Sequence, residues 1–418
     1  MLIGILEFFS GLLIVGIVLF DVFQSVVVPR WTARPFRFAP YLVDELWPRW
    51  KKMAFRWRDH DKREDVLGTF APLVLIILLM VWVLALVFGY GLMLHALRGQ
   101  TNHPEMGFPD SLYLAGVGLL TIGFGDIVAV EPLARMVLLS SAASGLAVFA
   151  LVISLTFTLY GSFQRREVMV LTLDARAGAP PSGVTLLETY ARFDLHDEMP
   201  EFFGSWERWA AEMLESHLAY PLLPYFRSSH DNESWIAAMG AVLDAATLIM
   251  TTVEGGGGHS ERRSRKSQGA AHLMYGLGCH ATIDLSHWFR FRLPGADAES
   301  GDIEPDAGVE RLEFELARRR LEKAGYALLP FEDSWRDFRQ KRAVYAAALN
   351  ALARHFASPP SQWIGDRSAI SHLHHRAPEE KTEAKTELEG GEVSPPLPES
   401  TPEETGEATH EDKPCSAA

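Results

Sequence analysis

Cysteine is almost missing: the 418-residue chain has two, Cys279 and Cys415. That excludes a disulfide framework and a cysteine-rich zinc site. After residue 165 no strand leads into G-x-G-x-x-G, which argues against a dinucleotide-binding regulator. No nucleophile–base arrangement and no phosphate loop points to an enzyme. No apolar run carries arginine at every third position, so the sequence gives no voltage sensor. Strand-like alternation is scarce, and there is no internal repeat. The net charge of −14 argues against nucleic acid as a partner. Most of that charge is local: residues 377–418 hold twelve Asp/Glu and three Lys.

Apolar length is what the chain has in excess. Residues 2–28 carry only Glu7 and Asp21, residues 70–97 carry no charge, and residues 132–163 carry only Arg135. A membrane-spanning helix needs roughly 20 mostly apolar residues, and each run exceeds that. The first has no basic leader and no small-residue cleavage site, so it reads as a span and not as a cleavable signal. Ten Arg and Lys residues separate the first two spans, only Arg98 lies between the second and third, and Arg165 and Arg166 follow the third. The positive-inside rule therefore places the N-terminus outside, 29–69 inside, 98–131 outside and 165–418 inside, in a cell membrane crossed three times.

Five regions follow. Residues 1–28 form a first transmembrane helix. Residues 29–69, rich in Arg, Trp and Phe, suit an interfacial helix with aromatics at headgroup depth and cations toward anionic lipid. Residues 70–163 contain two spans and the segment between them. Residues 164–356 read as a cytosolic all-helical domain, with helices near 184–194, 200–219, 232–253, 268–290, 307–325 and 331–356. Within it, 236–253 is apolar but short and contains Asp244, which favours a buried core helix over a fourth span. Residues 357–418 are a linker and an acidic Glu/Pro/Ser/Thr tail too poor in apolar residues to order itself. The fold class is thus an all-α membrane protein: three transmembrane helices, a re-entrant element between the second and third, a helical bundle and a disordered tail.

The stretch "LLTIGFGDIV" (119–128) sits between the second and third spans. Before it, "PDSLYLAGVGLL" (109–120) reads as a short helix that Asp110 or Ser111 can cap. It is too short to cross a bilayer and runs directly into extended backbone. Such backbone survives at membrane depth only when protein buries it or it lines a water-filled path. The residue types suit a cation. Gly123 and Gly125 let successive carbonyls turn the same way at little steric cost. Thr121 can add a hydroxyl ring, and Ile122 and Phe124 would pack behind the strip. The short helix would aim its negative end at the ion, and Asp126 would concentrate cations at the outer mouth.

"TIGFGD" resembles the selectivity filter of potassium channels, usually T-V-G-Y-G, and 70–163 is similar to their pore module. The resemblance puts Thr121, Ile122, Gly123, Phe124 and Gly125 on the five K+-binding positions. It implies a K+ channel, with K+ as the permeant ion and no cofactor. One pore loop per chain implies a homotetramer in contact with membrane lipids. Gly145, twenty residues past Gly125, stands where such channels have a hinge in the inner helix; close helix packing with Ser141 is the other reading. Three departures stand out. Phe124 lacks the usual phenolic hydroxyl, Leu120 replaces a common Thr, and Val117 offers Asp126 no polar partner.

Other candidates lie outside this stretch. Asp21 is suited to pair with a basic residue of 29–69. His280, Asp284 and His287 share one helix face and could bind a divalent metal, or else are polar groups of a bundle. "HLHH" (372–375) is a second, weaker metal candidate. The competing functions are a non-selective cation channel, a membrane-anchored signalling scaffold with a vestigial pore, and a membrane-bound enzyme in 165–356. The helical domain would serve as a regulatory sensor or bind an unknown cytosolic ligand or partner.

Overall fold

The computed structural model of the chain describes residues 2–27, 38–228, 233–254, 259–291 and 307–364. Twelve α-helices account for most of these, and the described residues contain no β-strand, only isolated bridges. The protein is an all-α membrane protein. The acidic tail, the "HLHH" cluster and residues 28–37 of the basic segment lie outside the described residues.

Three helices are long and apolar enough to cross a membrane: α1 (Leu2–Val26), α4 (Phe70–Ala96) and α6 (Pro132–Ala177). Helices α1 and α4 run antiparallel in close contact. A Cβ on Gly11 would lie 2.4 Å from the Gly89 carbonyl oxygen, so only glycine admits this approach. At one end His95 Nδ1 lies 3.0 Å from Glu7 Oε2. At the other, the buried Asp21 accepts hydrogen bonds from Trp82 Nε1 at 2.7 Å and from the Phe38 backbone N–H at 2.9 Å. Arg30, Arg34 and Arg37, among the basic partners expected from sequence, lie outside the described residues. The indole serves because it carries a polar donor on an otherwise apolar body.

Residues 38–69 form two helices, α2 (Phe38–Ala54) and α3 (His60–Gly68), in place of one interfacial helix. For Trp47 and Trp50 the expected placement at headgroup depth needs correction. Trp47 is buried, with its ring against Phe70 and Tyr225, and Trp50 Nε1 donates to the Val66 carbonyl at 2.7 Å. Phe38, Tyr41, Phe55 and Trp57 remain exposed.

The expected boundary at residue 163 falls inside α6, which continues unbroken for 46 residues to Ala177 and ends at Gly178 with φ +79°. Beyond it the chain folds as α7 (Gly183–Arg192), α8 (Met199–Ala219), α9 (Trp235–Thr251), α10 (His259–Trp288), α11 (Arg311–Lys323) and α12 (Phe331–Phe356). Helix α9 is buried on all sides except at Met250, as a helix apolar all round must be. It is the core of the helical domain and not a fourth span. Its one charge, Asp244, meets Arg342 Nε at 2.8 Å and accepts from the Tyr345 hydroxyl at 2.7 Å. Arg342 also donates to the carbonyls of Ala307 and Trp363. Residues 358–364, expected as linker, pack back on this core with Trp363 and Ile364 buried.

Two contacts fix the membrane helices to this domain. On α6, the buried Arg166 donates to the Phe226 carbonyl at 2.6 Å and lies 3.3 Å from His217 Nε2. Burial, and then the guanidinium beside it, holds His217 well below the usual histidine range. On the other side, α2 closes the C-terminal end of α12. Trp47 Nε1 reaches the His355 carbonyl at 3.0 Å, Lys51 reaches those of Arg354 and His355, and Arg227 reaches that of Phe356 at 2.7 Å while pairing with Glu64. Cations are favoured at this end because the last helical carbonyls have no partner within the helix.

Removing one member of the buried Asp244–Arg342 pair leaves the other charge uncompensated, at a cost of about 3–5 kcal/mol. Asp244→Leu should lower the thermal unfolding midpoint of the detergent-solubilised protein sharply, and adding Arg342→Met should restore most of it. An unchanged midpoint in the single variant would contradict the assignment of this pair to the core.

Candidate ion pathway

The short helix α5 (Phe108–Leu119) lies against α4 and α6. It begins earlier than the sequence indicated. Gly107, not Asp110 or Ser111, holds the cap position, and Asp110 reaches back from the first turn to accept the Gly107 N–H at 2.9 Å. Ser111 is buried and donates to the Gly107 carbonyl at 3.1 Å. At twelve residues the helix spans about 18 Å, less than a hydrocarbon layer of about 30 Å.

Helix α5 ends in a Schellman cap, with Thr121 at its left-handed position. The N–H groups of Leu120, Thr121 and Ile122 take the carbonyls of Gly116, Gly118 and Val117 at 2.9–3.0 Å. From there the backbone alternates in hand. Thr121, Gly123 and Gly125 have φ of +53°, +67° and +80°, while Ile122 and Phe124 between them stay on the negative side. In a β-strand successive carbonyls face opposite ways. Alternating left- and right-handed residues instead turn the peptide planes the same way along an extended path. Glycine suits two of the three left-handed positions, and Thr121 holds the third against the usual steric preference. From Gly123 to Gly125 the described residues provide no backbone–backbone hydrogen bond to the strip.

The strip is braced from behind and beyond. The Phe124 ring stacks on Tyr113 of α5, with centroids 6.4 Å apart and planes 3° from parallel. The Tyr113 hydroxyl lies close enough to the Asp126 carboxylate for the two to interact. Thus Asp126 does have a polar partner, one helical turn before the Val117 that could not supply it. Asn102 clamps the return path: its Nδ2 donates to the Asp126 carbonyl at 3.1 Å and its Oδ1 accepts from the Val128 N–H at 2.8 Å. Gln100 adds a bond from the Val130 N–H to its carbonyl at 2.8 Å and one from the Ala134 N–H to its side chain at 3.1 Å. Sequence reasoning missed Tyr113, Asn102 and Gln100. Tyr113 was the most accessible signal, being the one phenol on a helix that needs a donor at its end.

Gly145 sits in an uninterrupted stretch of α6 against the end of α5. A Cβ there would lie 1.8 Å from the Leu119 carbonyl oxygen. One turn earlier, the fully buried Ser141 Oγ lies 3.4 Å from the Ala115 carbonyl. This is the close-packing arrangement weighed beside the hinge, and it places Gly145 directly behind the residue that leads into the strip.

The proposed metal face on α10 is corrected. His280 Nε2 lies 3.4 Å from Asp284 Oδ2, both partly or fully open to solvent, and His287 is exposed. Among the described residues no group of three His, Cys, Asp or Glu side chains is arranged to hold a metal ion.

Residues 75–161 match the family model described as "ion channel". The match covers α5, the strip and most of the two helices around them, and supports an ion-channel pore module in this part of the chain. No curated protein and no solved structure matches the chain.

Because Gly145 has no room for a methyl group, Gly145→Ala should destabilise the contact between α5 and α6 by about 1–3 kcal/mol. Thermal unfolding in detergent measures this. An unchanged midpoint would show that the two helices separate there easily, as a hinge requires.

Proposed function

We propose that the chain is a K+-selective channel assembled from four copies, with Thr121–Gly125 of each copy contributing carbonyl oxygens to one filter. The observation that carries this is the alternating backbone hand at Thr121, Gly123 and Gly125, directly after a short helix and inside a matched pore module. Carbonyl oxygens aligned along one side replace the hydration shell of a dehydrated monovalent cation without introducing fixed charge. One strip supplies a quarter of such a cage. In a single chain the strip lies open and Phe124 is 67% exposed, which suits a surface completed by neighbouring copies around a closed symmetry axis. The asymmetry of basic residues supports an orientation with α2, α3 and the helical domain in the cytosol and the Asn102 clamp outside. Asp126 then stands at the outer mouth, where its charge raises the local cation concentration.

Purified protein in liposomes should pass K+ in preference to Na+ by about tenfold or more, equivalent to ~1.4 kcal/mol or more of discrimination. Barium should block the flux. Equal K+ and Na+ flux would favour a non-selective pore, and no flux from a protein that is tetrameric on native gels would favour a scaffold. Tyr113→Phe keeps the ring stacked on Phe124 but removes the hydroxyl that interacts with Asp126. It should leave assembly intact while shortening sustained K+ current in single-channel recordings, and unchanged current stability would remove Tyr113 as a brace.

A further inference from the structure

The four-copy pore proposed above uses only the membrane part of α6, yet the helix continues well beyond it. Its 46 residues extend about 69 Å, more than twice the roughly 30 Å of a hydrocarbon layer. Residues 164–177 are the part that reaches the helical domain, and they have two distinct faces. One is buried in the domain: Arg166, Val170, Leu173 and Ala177 recur at helical spacing, with Arg166 held by the Phe226 carbonyl and His217.

The opposite face is exposed, and apart from Gln164 its seam positions are apolar. Gln164, Val168, Leu171 and Ala175 are all exposed, separated by four, three and four residues. This is the spacing by which one helix meets a parallel copy of itself along a seam. Val168 is 53% and Leu171 45% exposed. Water contact at two large apolar side chains one turn apart is unfavourable, and the domain's own core is already closed behind them. Beside them, the Thr172 hydroxyl donates to the Met169 carbonyl at 2.9 Å, so it makes no demand on solvent. The seam is also continuous with the membrane part, where Phe157 is 76% exposed two turns earlier on the same side.

We propose that residues 164–175 of α6 pack against the same residues of other copies, forming a parallel helix bundle on the domain side of the membrane. This rests on the four-copy reading of the pore, which brings the α6 helices together in parallel around one axis. The occupant of the exposed seam is therefore a second copy of this chain. Charge supports it: the seam positions are neutral, and the exposed Arg165 lies beside the seam with its guanidinium turned to Ser162 Oγ at 3.0 Å. The bundle would bind the four helical domains into one body directly beneath the pore.

Single cysteines in the full-length chain, with Cys415→Ala and the buried Cys279 retained, test this in native membranes. Under mild oxidation Val168→Cys and Leu171→Cys should convert most of the protein to disulfide-linked dimers on non-reducing gels. Leu173→Cys, facing the domain, should not. As an independent variant, Leu171→Asp should lower the temperature at which the native-gel tetramer dissociates while leaving the K+ over Na+ preference in liposomes unchanged. Cross-linking at 168 and 171 no greater than at 173, in a protein that remains tetrameric and K+-selective, would overturn the bundle and leave the pore standing. Loss of both tetramer and selective flux in the unsubstituted protein would overturn the pore and the bundle together.

Discussion

A peptide group that finds no partner is expensive in hydrocarbon, at several kcal/mol for each group left unsatisfied. Residues 123–125 are such backbone: they run between two apolar helices and, among the described residues, take part in no backbone–backbone hydrogen bond. Their placement makes sense only where something else supplies the missing partners, whether water, ions or both. Much of the membrane part serves to hold this strip in that position. Helix α5 is too short to do anything except enter and stop, Gly145 lets α6 press against its last carbonyl, and Asn102 fixes the chain as it leaves.

The same chain ties the pore module to a large helical domain through both of the helices that flank the strip. Helix α4 begins at Phe70, whose ring lies in the domain's aromatic cluster with Trp47 and Tyr225. Helix α6 does not end at the membrane but enters the domain and is anchored there at Arg166. A rearrangement among α8, α9 and α12 would therefore act on α4 and α6 without passing through a flexible linker. The link is mechanical: continuous helix on one side, and a capped helix end held by Trp47, Lys51 and Arg227 on the other.

Charge-poor runs of about the right length made the spans legible in the sequence, because that length follows from the bilayer itself. The strip was legible because glycine at alternate positions answers a specific steric demand. The burial of α9 was legible from Asp244, a charge that lipid would penalise and that Arg342 could satisfy. What escaped was set by tertiary contact. Gly178, Pro180 and Pro181 mark the end of α6 at 177, but nothing shows that the helix runs on past the membrane to reach them, since the residues after Phe163 are as good helix formers as those before it. Trp47 reads as an interfacial tryptophan until Phe70 and Tyr225 are seen around it. Tyr113 and Asp126 are thirteen residues apart, and only the re-entrant path brings them together. His280, Asp284 and His287 did share a face, but that face is open to solvent, and among the described residues no third ligand joins His280 and Asp284.

The central claim is that carbonyls of four chains, aligned by alternating backbone hand, hold dehydrated cations on one axis. A structure of the purified protein in rubidium, with anomalous scattering measured at the rubidium edge, addresses it directly. The expected result is a row of rubidium peaks on a fourfold axis, flanked by the carbonyl oxygens of Thr121 to Gly125 from each copy. A strip buried against its own chain, or a fourfold assembly with no rubidium between these residues, would contradict it.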